Sequence, residues 1–414
     1  MTQPMEVWLD ADIVPAPICV GLLNHARGVV RFQYTAQWLA HPLRFCVDPE
    51  LTLDAGNFYP DAALGNFRVF DDSAPDRWGQ TLMKRREAMA AKEEGRPVQT
   101  LYAWDYFLGV QDLTRQGALR VKAVGSNTFL ANHPLPAPPF AQLRELEAIG
   151  RALSAKKLDD LDALRRWLAV LVAPGASLGG ARPKANFLDE TGQLWIAKFP
   201  AKDDLHDIGA WEGVVHTLAG LAGIAVAPAK VLAFSKDYKT FCVQRFDRTR
   251  NAEGQTQRIF YTSAMALLRK DHSEGTSYLD LAEFIRQQGA AQWVQHDLAQ
   301  LFKRVVFNIA VGNRDDHLRN HGFILTATGW RLAPAFDMNP NIDQAAHVLN
   351  IDMADNAPSL SNALATAQWY GLNSSTAKTI ADEVLAVVST WRTVAQRQGL
   401  TRSEVEVYAG AFVV

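Results

Sequence analysis

The chain has 414 residues, 48% of them hydrophobic and 21% charged, with a formal net charge of −2. That length exceeds one hydrophobic core and fits two or three packed units. The near-neutral balance excludes a strongly basic nucleic-acid binder. The most apolar stretch, RRWLAVLVAPGAS, breaks at Pro174–Gly175, far short of a bilayer span.

The N-terminus, MTQPMEVWLDADI, has no basic segment leading into an apolar run, so no signal peptide is expected. Cys19, Cys46 and Cys242 are spaced for neither a zinc site nor a disulfide framework. They read as free, buried thiols of a reducing compartment, and the expected location is the cytoplasm, away from membranes.

Residues 1–60 begin strand-rich. VGLLNHARGVVRFQYTAQWL places β-branched and aromatic runs on both sides of a turn centred on His25 to Gly28, which predicts a hairpin. A helix is expected to start near Asp72, Ser73 and Pro75 and to stop at Gly95. Another covers 101–111, and GALRVKA is a short strand. PLPAPP at 134–139 is a loop and marks the end of an N-terminal subdomain, 1–138. A long helical pattern runs from 140 to Val172, followed by the glycine-rich GASLGGARPKANF. Then come a strand (QLWIAKF), a helix (GAWEGVVHTLAGLAG) and strands around KVLAFS and KTFCVQRF, giving an ATP-binding region over 139–250. Residues 251–414 are mainly helical, interrupted by the loop GNRDDHLRNHG and by the strand–turn–strand GFILTATGWRLAPAF. The expected fold class is α+β, two-lobed and protein-kinase-like, with a β-rich N-terminal subdomain and a mainly helical C-terminal lobe.

Asp315 and Asn320 share the Asp-x-x-x-x-Asn spacing of a kinase catalytic loop. Phosphoryl transfer needs a carboxylate at the attacking hydroxyl and an amide oxygen, a few residues on, at a metal ion. Taken alone, a polar loop closing a helix would look the same. Asp337 closes the segment RLAPAFD, where a second metal ligand belongs; one Asp, one Asn and phosphate oxygens satisfy Mg²⁺. Upstream, Gly175 to Lys184 offers small residues whose backbone N–H groups can approach phosphates. Lys198 follows on a strand and Glu212 on the next helix, in the order glycine loop, lysine, glutamate. The residues Gln244, Arg245 and Phe246 suit a hinge that borders an adenine, and Asp247 a contact to a ribose hydroxyl.

The ordered set resembles the HipA family of bacterial type II toxin serine/threonine kinases. SLGGARPK resembles the family's serine-containing glycine loop, VQRFDR its hinge, GNRDDHLRNHGF its catalytic loop and APAFD its metal segment. VFDDSAPDRWGQTLMKRR and WDYFLGVQDLTRQGALR resemble its first domain, so the likeness covers nearly the whole chain. It implies ATP and Mg²⁺, with Asp315 as catalytic base, Asn320 and Asp337 as metal ligands, and His317 touching phosphate or shaping the loop. Ser177, Gly179, Gly180, Lys198, Glu212, Gln244, Phe246 and Asp247 would border the nucleotide, and Ser177 matches the family's autophosphorylated serine. Asp316 stands where the family often has glycine, and Arg182-Pro183 makes the glycine loop stiffer and more basic than in some members. The implied partners are a HipB-like helix-turn-helix antitoxin, operator DNA reached through it, and a protein substrate, with the translation machinery as a candidate. Two rivals are a small-molecule phosphotransferase and a catalytically weak co-repressor that holds a helix-turn-helix antitoxin on DNA.

Overall fold

The computed structural model describes residues 3–61, 63–132, 137–154, 182–236 and 238–413. The glycine loop with Ser177, Gly179 and Gly180, and the expected helix beyond Ser154, lie outside the described residues. The chain divides into two compact units. The first comprises Met1–Lys202 with Arg245–Arg269, the second Asp203–Gln244 with Lys270–Val414.

In the first unit an antiparallel sheet runs in the order Val29–Tyr34, Ile18–Ala26, Met5–Leu9, Leu119–Ala123. The expected hairpin closes between Ala26 and Val29, leaving Arg27 and Gly28 as a two-residue loop with φ of 52° and 79°. Two positive φ values are what a tight turn needs to match the twist of its strands, and glycine supplies the second without strain. Phe32, Phe67, Phe70 and Phe107 pack over the sheet with ring centroids 5.4–6.2 Å apart.

The expected 72–95 helix is two helices, Arg68–Asp72 and Arg77–Glu94. The chain breaks around Pro75, and Asp76 restarts the helix by accepting from the Gly79 N–H at 2.8 Å. Gly95, at φ 63°, ends it as read from the sequence. The other Asp76 oxygen meets the Lys184 ammonium at 2.7 Å in a fully buried ion pair. Lys184 begins the Lys184–Leu188 strand, which pairs antiparallel with Leu194–Lys198 in a register that sets Lys184 opposite Lys198.

The second unit is mainly helical. Its N-terminal part joins the Ile208–Leu221 helix, capped by Asp207, to the hairpin Ala229–Leu232/Thr240–Gln244. Trp211, Trp391, Tyr408 and Phe412 form its aromatic centre, with the Trp391 and Phe412 rings stacked at 4.1 Å and Trp211 4.4 Å from Tyr408. Tyr278–Gln288 and the buried Val294–Val311 lead to the hairpin Gly322–Thr326/Gly329–Leu332, and Ser374–Val388, Trp391–Arg397 and Arg402–Tyr408 follow. No helix among the described residues is long and apolar enough to cross a membrane. The cysteines are free; Cys242 is buried and Cys19 half-buried, but Cys46 is exposed, its side chain turned out while Val47 and Asp48 beside it are buried.

Candidate active site

The Val294–Val311 helix ends at Gly312, whose φ of 67° turns the chain into the 312–321 loop. A side chain could not replace that hydrogen, since an added Cβ would lie 2.4 Å from the Ala411 carbonyl oxygen. A single 3₁₀ turn, Leu318–Asn320, closes the loop, with the Asn320 N–H donating to the His317 carbonyl at 2.8 Å and the Leu318 N–H to Ser273 Oγ at 3.0 Å. The chain then passes through the hairpin to Asp337.

Asp315 is exposed at the tip of this loop. Partial desolvation pushes its carboxyl above the usual range. The neighbouring Asp337 and Asp316 carboxylates push the same way, while His317 and a side-chain hydrogen bond from Gln344 oppose them. His317 and Asp337 are therefore each within electrostatic reach of Asp315. A carboxyl whose pKa is raised by partial desolvation and a neighbouring like charge is a pattern found in acid–base groups.

Asn320 is buried. Its Nδ2 donates to the Asp315 carbonyl at 3.4 Å, while its Oδ1 is buried with no hydrogen-bond partner. A buried amide oxygen left unsatisfied is costly, and a ligand is one way to supply the missing partner. His317 Nδ1 is likewise buried without a partner. Asp337 adopts φ 58°, the left-handed region that non-glycine residues adopt at a cost. An amide oxygen and a carboxylate are hard donors that suit Mg²⁺, which keeps waters and phosphate oxygens as its other ligands. Among the described residues no group of three or more His, Cys, Asp or Glu side chains is placed to hold a metal by itself.

The remaining expected residues divide between the units. Lys198 ends its strand in the first unit, and Glu212 is buried on the Ile208–Leu221 helix of the second. Gln244 ends a strand of the second unit; Phe246 lies in the first, its ring 5.6 Å from that of Tyr261.

Asp247, expected at a ribose hydroxyl, lies among arginines of the first unit. It is 3% exposed and its carboxylate is taken up by Arg245 at 2.5 Å, Arg248 at 2.7 Å and the Gly117 N–H at 2.8 Å. Burial alone would raise its pKa, but the two guanidiniums hold it well below the usual range. The arginines in turn donate to carbonyls of one segment: Arg245 to Thr114, Arg248 to Leu113 and Arg115, Arg258 to Asp112 and Arg115. Asp247 thus organises the first unit.

Residues that the sequence reading passed over include Asp76, the partner of Lys184, and, around the loop, Asn308, Asn313 and Gln344. A signal for Asn308 was present: an amide in the middle of the apolar run VVFNIAV is a buried polar group that must be hydrogen-bonded.

An α+β chain that carries an Asp-x-x-x-x-Asn loop after a buried helix, then a hairpin and an acidic turn, has a two-lobed kinase-like fold. It superposes over 98% of its length on 94% of a chain from the Shewanella oneidensis HipA, HipB and operator DNA complex, with a TM-score of 0.66 at 17% identity. The model of the HipA-like C-terminal domain matches residues 176–391, just over half of the chain. The chain belongs to that family. It is also similar to the serine/threonine-protein kinase toxin HipA of Shewanella oneidensis, at 27% identity over 188 residues, 40% of this chain and 43% of that protein. The similarity to the putative kinase Y4mE of Sinorhizobium fredii is 30% identity over 149 residues, 34% of this chain and 33% of that one. The aligned stretches thus span less than half the length of either relative.

Proposed function

We propose that the chain is a HipA-like serine/threonine protein kinase that moves the γ-phosphoryl group of ATP to a protein hydroxyl. The observation that carries this reading is the unsatisfied, buried Asn320 Oδ1 in the same loop as Asp315, with Asp337 within electrostatic reach. Asn320 Oδ1 and the Asp337 carboxylate would hold Mg²⁺, which when bound neutralises phosphate charge. Asp315 orients the acceptor hydroxyl; its oxygen forms a bond to the γ-phosphorus while the β–γ bridging bond breaks and ADP leaves. The hydroxyl proton goes to the Asp315 carboxylate. His317 steers phosphate or supports the loop, and Lys198 and Glu212 are each proposed as nucleotide-binding residues. Ser177 is proposed as an autophosphorylation site whose added charge repels ATP. A HipB-like antitoxin, with operator DNA reached through it, is the proposed partner.

The test is incubation with γ-labelled ATP and Mg²⁺, then mapping of phosphate on the chain and on added protein acceptors. Transfer that needs Mg²⁺ and is lost in Asp315→Asn supports the reading. Transfer undiminished by that change, or none from a folded wild type that binds ATP, overturns it.

A further inference from the structure

Behind the loop lies a chain of buried side chains that the proposed chemistry does not use. The Asp316 carboxylate points inward, opposite to Asp315, and is 3% exposed. Its Oδ2 accepts from the Tyr278 hydroxyl at 2.5 Å, Asn308 Nδ2 at 2.8 Å and His321 Nε2 at 2.8 Å. Asn308 Oδ1 accepts from Asn313 Nδ2 at 3.1 Å, and Asn313 Oδ1 accepts from the Asn339 backbone N–H at 3.3 Å. Tyr278, Asn308, Asn313, Asp316 and His321 are each no more than 3% exposed.

The order of these contacts is informative. Asp316 neighbours the proposed base, and His321 neighbours the proposed metal-ligand amide. Asn339 is two residues past Asp337. The hydrogen bonds therefore run from the loop that carries Asp315 and Asn320, through the Val294–Val311 helix at Asn308, to the turn that carries Asp337. Direct backbone bonds run alongside: the Asn341 N–H donates to the Gly312 carbonyl at 2.8 Å and the Val348 N–H to the Arg314 carbonyl at 3.0 Å. If the purpose were stability alone, apolar side chains of similar size would serve as well or better in such a core. Buried polar side chains joined by hydrogen bonds instead favour one geometry.

We propose that Asp316 and Asn313 are positioning residues that set the spacing between the Asp315/Asn320 loop and the Asp337 turn. This rests on the kinase reading above, and it makes the separation of the two metal-holding segments a property of the buried amides. Such supporting contacts commonly alter metal affinity or activity by about 10–100-fold when removed.

Two variants of the full chain test it: Asn313→Ala, which cuts the last link, and Asp316→Asn, which keeps the shape but removes the charge that gathers three donors. The first readout needs no activity. Hydrogen–deuterium exchange should speed up over residues 337–341 in Asn313→Ala, while the helix upstream of Asn308 keeps its protection. The second readout is kinetic. The Mg²⁺ concentration for half-maximal transfer should rise about tenfold and kcat fall about 10–100-fold, with metal-free ATP binding within about twofold of wild type. Unchanged exchange at 337–341 in both variants overturns the tether itself. Faster exchange with unchanged Mg²⁺ dependence and kcat overturns the positioning role. A wild type that never transfers phosphate removes the kinase reading and the positioning role with it, whereas exchange that still responds keeps the tether as a loop anchor. Should Asn313→Ala fail to fold, Asp316→Asn gives the same two readouts.

Discussion

Asp337 combines a carboxylate near the acceptor loop with a backbone φ of 58°. Two substitutions separate these properties. Asp337→Ala removes the carboxylate and leaves a Cβ in the left-handed region. Asp337→Gly removes the carboxylate and the backbone strain together. Holding a residue with a Cβ in that region costs about 1–2 kcal/mol. Glycine gives back about 0.4–1 kcal/mol through the greater freedom of its unfolded chain. The glycine variant should therefore be the more stable of the two by roughly 0.5–1 kcal/mol, read from urea unfolding curves with equal slopes. Both variants should lose Mg·ATP affinity alike, by at least about tenfold, since even outer-shell losses at metal sites reach that size. Metal-free ATP binding should fall much less. Titration calorimetry with and without Mg²⁺ measures this. Equal losses in the two conditions would take Asp337 out of the metal site, and a glycine variant less stable than the alanine variant by about 0.4–1 kcal/mol would show that its backbone stores no strain.

Asp315→Asn should keep the fold, because the side chain is exposed and the change is isosteric, and should lower phosphoryl transfer by roughly 10²–10⁴; a steady-state assay beside a thermal melt checks both halves. Gly312→Ala should destabilise the second unit by roughly 2–4 kcal/mol, from a left-handed φ and overpacking against the Ala411 carbonyl; a shift in denaturation midpoint below about 1 kcal/mol would contradict that. Burial pushes the fully buried Asp48 up to about 6, against hydrogen bonds from the Val69 and Glu50 N–H groups. The folded state then binds the proton more tightly than the unfolded state, so this group's contribution to stability falls as pH rises from about 4 to about 6. The fall amounts to roughly 3 kcal/mol. Unfolding free energies across that window should drop more steeply for wild type than for Asp48→Asn, and parallel curves would refute the assignment.

Local signals were legible in the sequence where one residue's conformation decides the outcome. Arg27-Gly28 closes the first hairpin, Gly95 ends its helix, and the five-residue step from Asp315 to Asn320 lies on one loop, as the spacing suggested. The helix starting at Asp72 was misread because Pro75 interrupts a pattern that otherwise continues, and the second start needed Asp76 as cap. The partners of Asp247 were not legible for a different reason. Its partners include Gly117, 130 positions away, and no periodicity reveals a contact of that separation. Asp316 and Asn313 were hidden among the polar residues of one loop. Burial alone separates them from the exposed Asp315 beside them, and burial is set by Tyr278 and Asn308 on other helices.

The arginine-rich return segment Arg245–Arg269 also imposes an order on biosynthesis. Carbonyls of residues 112–115 in the first unit find their partners in Arg245, Arg248 and Arg258, which the ribosome adds only after the Asp203–Gln244 part of the second unit has been made. Between Lys202 and Arg269 lie roughly 70 residues, or roughly 4–14 s of elongation. A nascent chain that has reached Lys202 therefore holds a sheet and helices whose carbonyl cage is still open to solvent. The N-terminal half waits unfinished for its own arginines, and a truncated message that stops before them would leave a product without its internal clasp.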